Sequence, residues 1–413
     1  MFEWSEQHQM MRQMLRQWLD ANLEPATPHL EAERALPYDL MRKMFADFSM
    51  GEMITAQLRK VMERKASERA GGPSEEAKGG GLGIGDPALG NLVPWEMARV
   101  NPGFCLSFGA ALGLAGSTIV SKGTAEQVER WGIPVMTLDK IGAWGVTEPQ
   151  SGSDAFAMGT TAVPDGDHYV LNGSKIFITN APHADVFVIY ARIEGLGDRS
   201  DKRNVHPFVV ERGTTGLELG PPMKKMGMKS SPTGEIFLAD VRVPEDHLLG
   251  GDPESSRDQV KEVFAGERTG TAPMAGGIIE RCLDVCTEYT TERKQWGREI
   301  ARFQLVQRKL ADMYVAYNNV RNILFQQIWQ AENGKATWKD ACAAKLYCAD
   351  TAVDVALEAI QILGGYGYIQ DFPVERLMRD AKLLTIGGGT SEIQALNLAK
   401  ALYAERGFRT DVA

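Results

Sequence analysis

Two short segments hold the residues whose types and spacing could do chemistry: Trp144-Gly-Val-Thr-Glu-Pro-Gln-Ser-Gly-Ser-Asp154 and Asn172-Gly-Ser-Lys-Ile-Phe-Ile-Thr-Asn180. The first packs small residues, hydroxyls and a helix-cap-like Ser-x-Asp into one turn. Its backbone N–H groups can therefore approach an electron-rich ligand closely, which suits a flavin ring and a pyrophosphate. The second opens with Asn172-Gly173, a type I′ hairpin signal, and runs into a strand where Phe177 and Thr179 face away from their neighbours. A ring could stack there, with Thr179 as donor. An ordinary hairpin in a β-domain reads from the same residues, because Gly/Ser-rich turns are common, so both readings stay open at this point.

The elements around these segments change period twice. Residues 1 to about 140 read as helical. Met10, Met14, Trp18 and Leu19 follow the helical period, Pro25 and Pro28 break it, and Leu40, Met44 and Phe45 restart it. Residues of about 56–92 stand apart as an insertion: Lys60 to Ala77 is charged and apolar-poor, and Gly71-Gly-Pro and Gly79-Gly-Gly-Leu-Gly-Ile-Gly85 read as flexible punctuation. The glycine run neither follows a clear strand nor opens a helix, which argues against a dinucleotide fingerprint. Phe104 to Val120 is uncharged, and its Gly, Ala and Ser content favours a buried core helix over a membrane span.

From about 141 to 245 the period becomes two. Asp165-Gly166 is a turn before His168-Tyr-Val-Leu171, and strands are expected at 186–190, 207–210, 217–219 and 235–243. Glu194 to Asn204 reads as a solvated hairpin loop. After about 252 the helical period returns, with helices near 256–293, 302–332, 336–364 and 390–405. Phe303, Val306, Leu310, Met313, Tyr317, Val320 and Leu324 form a bundle seam. Gly364-Gly365-Tyr366-Gly367 stops one of these helices. The expected architecture is α+β multidomain: an N-terminal helical domain (1–140), a middle β-barrel or sandwich domain (141–248) and a C-terminal four-helix bundle (249–413).

Composition fits a soluble globular chain. With 413 residues, 44% of them hydrophobic and 24% charged, a large core is available. A net charge of −9 and the lack of a long Lys/Arg block argue against a nucleic-acid or anionic-membrane partner. Cys105, Cys282, Cys286, Cys342 and Cys348 are odd in number and scattered, so they read as buried free thiols in a reducing compartment. Cys282 and Cys286 share a helix face, but nothing nearby completes a zinc site, and no metal is expected. No signal or transit peptide is read at the N-terminus, and a cytoplasmic, bacterial-type location is expected.

Five further stretches follow the opening two in order: Arg293-Lys-Gln-Trp-Gly297, Phe303-Gln304, Gln361-Ile-Leu-Gly-Gly-Tyr-Gly367, Arg376-Leu-Met-Arg-Asp380 and Gly389-Thr-Ser-Glu-Ile-Gln394. Together they resemble the signatures of the acyl-CoA dehydrogenase family over roughly two-thirds of the chain. The resemblance implies FAD as cofactor and an acyl-CoA substrate drawn from fatty acid or amino acid catabolism, as in β-oxidation. It also implies an electron-transfer flavoprotein as electron acceptor, and a homotetramer or at least a dimer. Carried over by residue, it implies that Trp144, Val146, Thr147, Ser153, Phe177, Ile178 and Thr179 line the flavin. Arg293, Gln295, Trp296, Phe303, Gln304, Gln361, Gly364, Gly365, Thr390 and Glu392 would contact the rest of FAD. Ser153, Arg268, Gly388 and Gly389 would approach the substrate. Trp296 stands where a Phe is common. Arg293 suits a pyrophosphate, because a guanidinium binds phosphate bidentately. The 364–367 loop would come from a neighbouring subunit to cover the adenine and pyrophosphate side.

Desaturating an acyl thioester requires a carboxylate to take the α-proton and hydrogen-bond donors for the thioester oxygen. In much of the family the base is a Glu directly before the Gly-Thr of the last motif; here that position is Gly388. Members resembling the isovaleryl- and long-chain-specific branches place the base on a helix immediately before an Arg, and this chain has Glu267-Arg268 there. The resemblance thus implies Glu267 as catalytic base, with Gly388 retaining a backbone N–H for the thioester oxygen. Burial against flavin and acyl chain would raise the pKa of Glu267. Two alternatives remain: a flavin oxidase, monooxygenase or eliminase on the same scaffold, and a catalytically silent flavin-binding partner protein.

Overall fold

The computed structural model describes residues 2–69, 86–196, 204–253 and 268–408. The chain opens with α1 (Glu6–Glu31), where Ser5 caps the backbone of His8 and the His8 ring returns to the Ser5 N–H. Leu15, Leu19, Leu23 and Leu30 form its buried stripe. Pro25 and Pro28 lie inside this helix instead of ending it. The packing of Leu23, Thr27 and Leu30 holds the turn against the two missing N–H donors.

Helix α2 (Tyr38–Asp47) is followed by α3 (Met50–Arg69), which takes in the first part of the 56–92 stretch. Ile54 and Leu58 are buried, so this stretch is a helix with a core-facing side despite its charge. Gly71-Gly-Pro and the Gly79–Gly85 run lie outside the described residues. After α4 (Pro87–Val100) comes the apolar helix α5 (Pro102–Lys122), with a π-helical middle over Gly109–Gly116. Among the described residues it is the one helix long and apolar enough to cross a membrane, and most of it is buried inside the protein. Helical turns over 125–136, which we label α6, lead into the sheet.

The sheet has seven strands: β1 (Gly142–Gly145), β2 (Thr161–Asp165), β3 (His168–Thr179), β4 (Val186–Ile193), β5 (His206–Glu211), β6 (Leu217–Leu219) and β7 (Thr233–Pro244). Their order is β1-β4-β2-β3-β7-β6, with β5 pairing on β4. The Asp165-Gly166 turn joins β2 to β3 as expected, with Gly166 at φ 63°. Asn172-Gly173 is not a hairpin turn; it lies inside β3, where the register against β7 shifts between Leu171 and Gly173. A Cβ on Gly173 would sit 2.5 Å from Thr160 Oγ1, so the glycine serves close approach within the sheet. Asn172 bridges to β7, donating to Asp240 Oδ1 at 3.0 Å and accepting from the Asp240 N–H at 2.8 Å.

The 194–204 loop also departs from expectation at its end. Asn204 is buried, donating to the Ile193 and Leu196 carbonyls and accepting from the Ile193 N–H. Residues 197–203 lie outside the described residues.

The C-terminal part contains α7 (Thr271–Glu292), α8 (Gln304–Glu332), α9 (Trp338–Leu363), α10 (Val374–Leu384) and α11 (Ser391–Ala404). The Arg376–Asp380 stretch is therefore a fifth helix that the period analysis did not set apart. Helices α4 and α7 pack closely: a Cβ on Gly276 would overlap the Trp95 ring at 2.0 Å. An ion cluster pins α1 to both. The fully buried Glu96 meets Arg12 at 2.5 Å and Arg16 at 2.7 Å, and Glu280 accepts from both arginines and from the Trp95 ring N–H. All five cysteines are free and buried.

Candidate active site

The two chemistry-bearing segments are joined from within. Lys175, on β3, donates to Glu148 Oε1 at 2.7 Å, and neither side chain is exposed. The Glu148 carboxylate also accepts from the N–H groups of Gly159 and Thr160, the Thr160 hydroxyl and the Gln150 amide. Burial pushes its pKa up, but Lys175 and these donors outweigh it and hold the carboxyl below the ordinary range. Burial pushes the Lys175 ammonium down to about 8 against the pull of Glu148. Both groups are thus charged at neutral pH. Lys175 also donates to the Val146 carbonyl at 3.2 Å, and the Ile176 N–H to Thr147 O at 2.9 Å.

This clamp presents Thr147 beside the end of β3. Phe177 has φ 60° at a second register shift and is 64% exposed, an unusual state for a large aromatic. Ile178 is buried below it, and Thr179 is half-buried next to it. Asn180 then anchors the segment to the helices: its side chain accepts from Tyr38 and Ser107 and donates to the carbonyls of Ser107 and Gly142. Trp144 stacks edge-on against Tyr190 at 5.5 Å, and Val146 is buried in the same cluster. Ser153 is exposed on the preceding loop. An exposed aromatic face flanked by threonine hydroxyls on a rigid sheet fits a flavin ring.

The second part of the site is the turn Thr385–Thr390 between α10 and α11. Gly388 and Gly389 take φ 66° and 82°, a left-handed conformation that glycine adopts without strain. Thr390 caps α11, accepting from the Ile393 N–H at 3.3 Å, and Glu392 is exposed in the first turn. Gln394 is fully buried; it donates to the carbonyls of Gly388 at 2.9 Å and Gly389 at 3.2 Å. Its Oε1 accepts from Arg268 Nε at 3.0 Å. Lys345, also fully buried, donates to Gly389 O at 2.7 Å. The Arg268 guanidinium lies 4.0 Å over the ring of Trp338, which packs against the β-domain cluster containing Val146 and Met158. Glu267 lies outside the described residues; its chain neighbour Arg268 is held at the glycine turn.

The remaining candidate residues are not brought to this turn within one chain. Arg293 follows the C-terminus of α7, whose 22 residues span about 33 Å from the Arg268 end at 1.5 Å per residue. Around it lie the exposed Gln295 and Trp296 on a two-stranded ribbon, Phe303 5.6 Å from the Trp296 ring, and the exposed Gln304. Arg293 sits 5.6 Å over the Tyr366 ring, beside the exposed Gln361, Gly364 and Gly365 that close α9. Gly364, at φ 60°, provides the helix stop. A guanidinium, open rings and a glycine loop on one surface fit an adenine and pyrophosphate.

Sequence reasoning missed Lys345, Trp338 and Gln394. Lys345 carried a signal: it is a lone lysine among Ala341, Cys342, Ala344, Cys348 and Ala349 on a buried helix face. Gln394 closed a recognised motif without being assigned a role. Nothing local singled out Trp338.

Comparison with known proteins places the chain in a family. Residues 143–241 match the acyl-CoA dehydrogenase middle domain, and residues 257–403 match the acyl-CoA dehydrogenase C-terminal domain. The chain is 34% identical to a short-chain specific acyl-CoA dehydrogenase of Clostridium acetobutylicum, over 97% of this chain and 99% of that one. It is 33% identical to the mitochondrial isovaleryl-CoA dehydrogenase of Pongo abelii, over 97% and 90%. The solved butyryl-CoA dehydrogenase of Megasphaera elsdenii superposes with a TM-score of 0.83 at 31% identity, covering 97% of this chain and 99% of that one. The chain belongs to the acyl-CoA dehydrogenase family, the FAD-dependent oxidoreductases that desaturate acyl-CoA thioesters.

Proposed function

We propose that Glu267 is the base of this dehydrogenation and that the Gly388–Thr390 turn receives the thioester oxygen. The observation that carries this reading is the Arg268–Gln394 bond, which ties the residue next to Glu267 to the carbonyls of Gly388 and Gly389. Gly388 offers no carboxylate, and a Glu one residue before Arg268 restores one from a different element.

In this reading Glu267 takes the α-proton of an acyl-CoA. The electrons of that C–H bond form the α,β double bond as a hydride leaves the β-carbon. FAD, when bound, supplies the hydride acceptor, and the electrons then pass to an electron-transfer flavoprotein. Backbone N–H groups at Gly388 and its neighbours meet the oxygen where negative charge develops. Arg268 and Ser153 approach the substrate. Trp144, Val146, Thr147, Ser153, Phe177, Ile178 and Thr179 hold the flavin, while Thr390 and Glu392 contact it from the bundle.

Arg293, Gln295, Trp296, Phe303, Gln304, Gln361, Gly364 and Gly365 would complete the cofactor site of a neighbouring subunit in a homotetramer. Their distance from the Gly388 turn within one chain favours this, as do exposed apolar side chains beside them: Trp296 on the ribbon (86% exposed), Leu305 at the start of α8 (80%) and Tyr368 beyond the end of α9 (84%).

The test is anaerobic titration of the FAD-loaded protein with short, branched, long and cyclic acyl-CoAs. Bleaching of the flavin band by one subset is expected and identifies the acyl group. Flavin-replete protein that bleaches with none of them would contradict the reading.

A further inference from the structure

Thr385–Thr390 contains three consecutive glycines, the residue type with the most backbone freedom to lose. Such a turn holds one shape only if something outside it fixes the peptide planes. Two fully buried polar side chains from other helices do so. Gln394 on α11 donates to the carbonyls of Gly388 and Gly389, and Lys345 on α9 donates to that of Gly389 at 2.7 Å.

In a trans peptide the C=O and the following N–H point in opposite directions. Tying the Gly388 and Gly389 carbonyls to Gln394 and Lys345 therefore turns the N–H groups of Gly389 and Thr390 the other way. Among the described residues neither N–H donates to any acceptor, and nor does that of Gly388. The turn is thus a set of oriented donors with carbonyls anchored on one side and open N–H groups on the other.

We propose that Lys345 and Gln394 are positioning residues for the substrate thioester, holding the glycine turn so that its N–H groups bind the thioester oxygen. The proposal rests on the functional reading above. It gives Gln394 two separable tasks: accepting from Arg268 through Oε1 and donating to the turn through Nε2. A carboxylate at 394 keeps the first and abolishes the second.

The experiment compares FAD-loaded parent, Gln394→Glu and Lys345→Met in their affinity for crotonyl-CoA and for S-butyl-CoA, a thioether without the carbonyl oxygen. If the parent responds to a different chain length, the pair of that length is used. The parent should prefer the thioester, and each variant should lose about tenfold or more of that preference. Thioether affinity should stay within about twofold, with melting temperature and flavin content retained. Gln394→Glu with the parental preference would overturn the turn-holding role of Gln394, and Lys345→Met with the parental preference that of Lys345. Equal loss of both ligands would reduce the two residues to general structural support. A parent that neither prefers the thioester nor is bleached by any acyl-CoA would instead overturn the functional reading itself.

Discussion

Glu148 and Lys175 meet at 2.7 Å with neither side chain exposed, one from each of the two segments that present the flavin-facing residues. Removing one member leaves the other as an uncompensated buried charge. Lys175→Met should destabilise the protein by about 3–5 kcal/mol. The Glu148→Gln/Lys175→Met pair should recover much of that loss, since the double change removes both charges. Chemical unfolding of the two variants and the parent checks this; a double variant no better than Lys175→Met would contradict it.

Two sets of buried carboxyls respond to pH in opposite senses. Glu148 and Glu280 are held below the ordinary carboxylate value of 4.5, so their contribution to stability is present above that value and is lost as pH falls through the lower folded values. Asp380 behaves in the opposite sense. Complete burial raises it to about 6, so its favourable contribution is full below 3.8 and is lost as pH rises through about 6. Asp380→Asn should therefore gain about 2–3 kcal/mol relative to the parent between pH 4 and pH 7. Melting curves across that range would show the gap, and parallel pH profiles would refute it.

The exposed ribbon carrying Trp296 sets up a prediction about assembly. Trp296→Ala and Arg293→Ala should each lower FAD occupancy although both follow the C-terminus of α7, a helix about 33 Å long whose other end holds Arg268 at the glycine turn. Light scattering with flavin quantification should show an oligomer at least dimeric in the parent. A monomer that holds FAD fully would contradict the shared site.

Moving the base offers a further check. Gly388 already has φ 66°, which a Glu can adopt at a cost of about 1–2 kcal/mol. Glu267→Gly/Gly388→Glu should regain measurable flavin reduction lost in Glu267→Gly, as followed by stopped-flow absorbance. No recovery in a folded, FAD-loaded double variant would mean that the two positions do not reach the same α-carbon.

Much of this architecture was legible because period and burial agree. The β-strands from His168 onward and helices α8, α9 and α11 follow their apolar patterns closely. Local signals failed where tertiary contacts overrode them. Asn172-Gly173 carries a turn sequence, yet its glycine is used for close approach to Thr160 inside a strand. Pro25 and Pro28 sit within a helix whose buried stripe continues past them. Lys345 and Gln394 act on a turn far along the chain from Lys345, a relation that spacing along one helix does not encode.

The most direct test of the account is the rate at which the responsive acyl-CoA reduces the flavin of Glu267→Gln under anaerobic conditions. The variant should fold, bind FAD and bind the thioester, yet reduce its flavin more slowly by a factor of about 100 or more, the scale of a lost general base. Reduction at the parental rate would remove Glu267 from the mechanism.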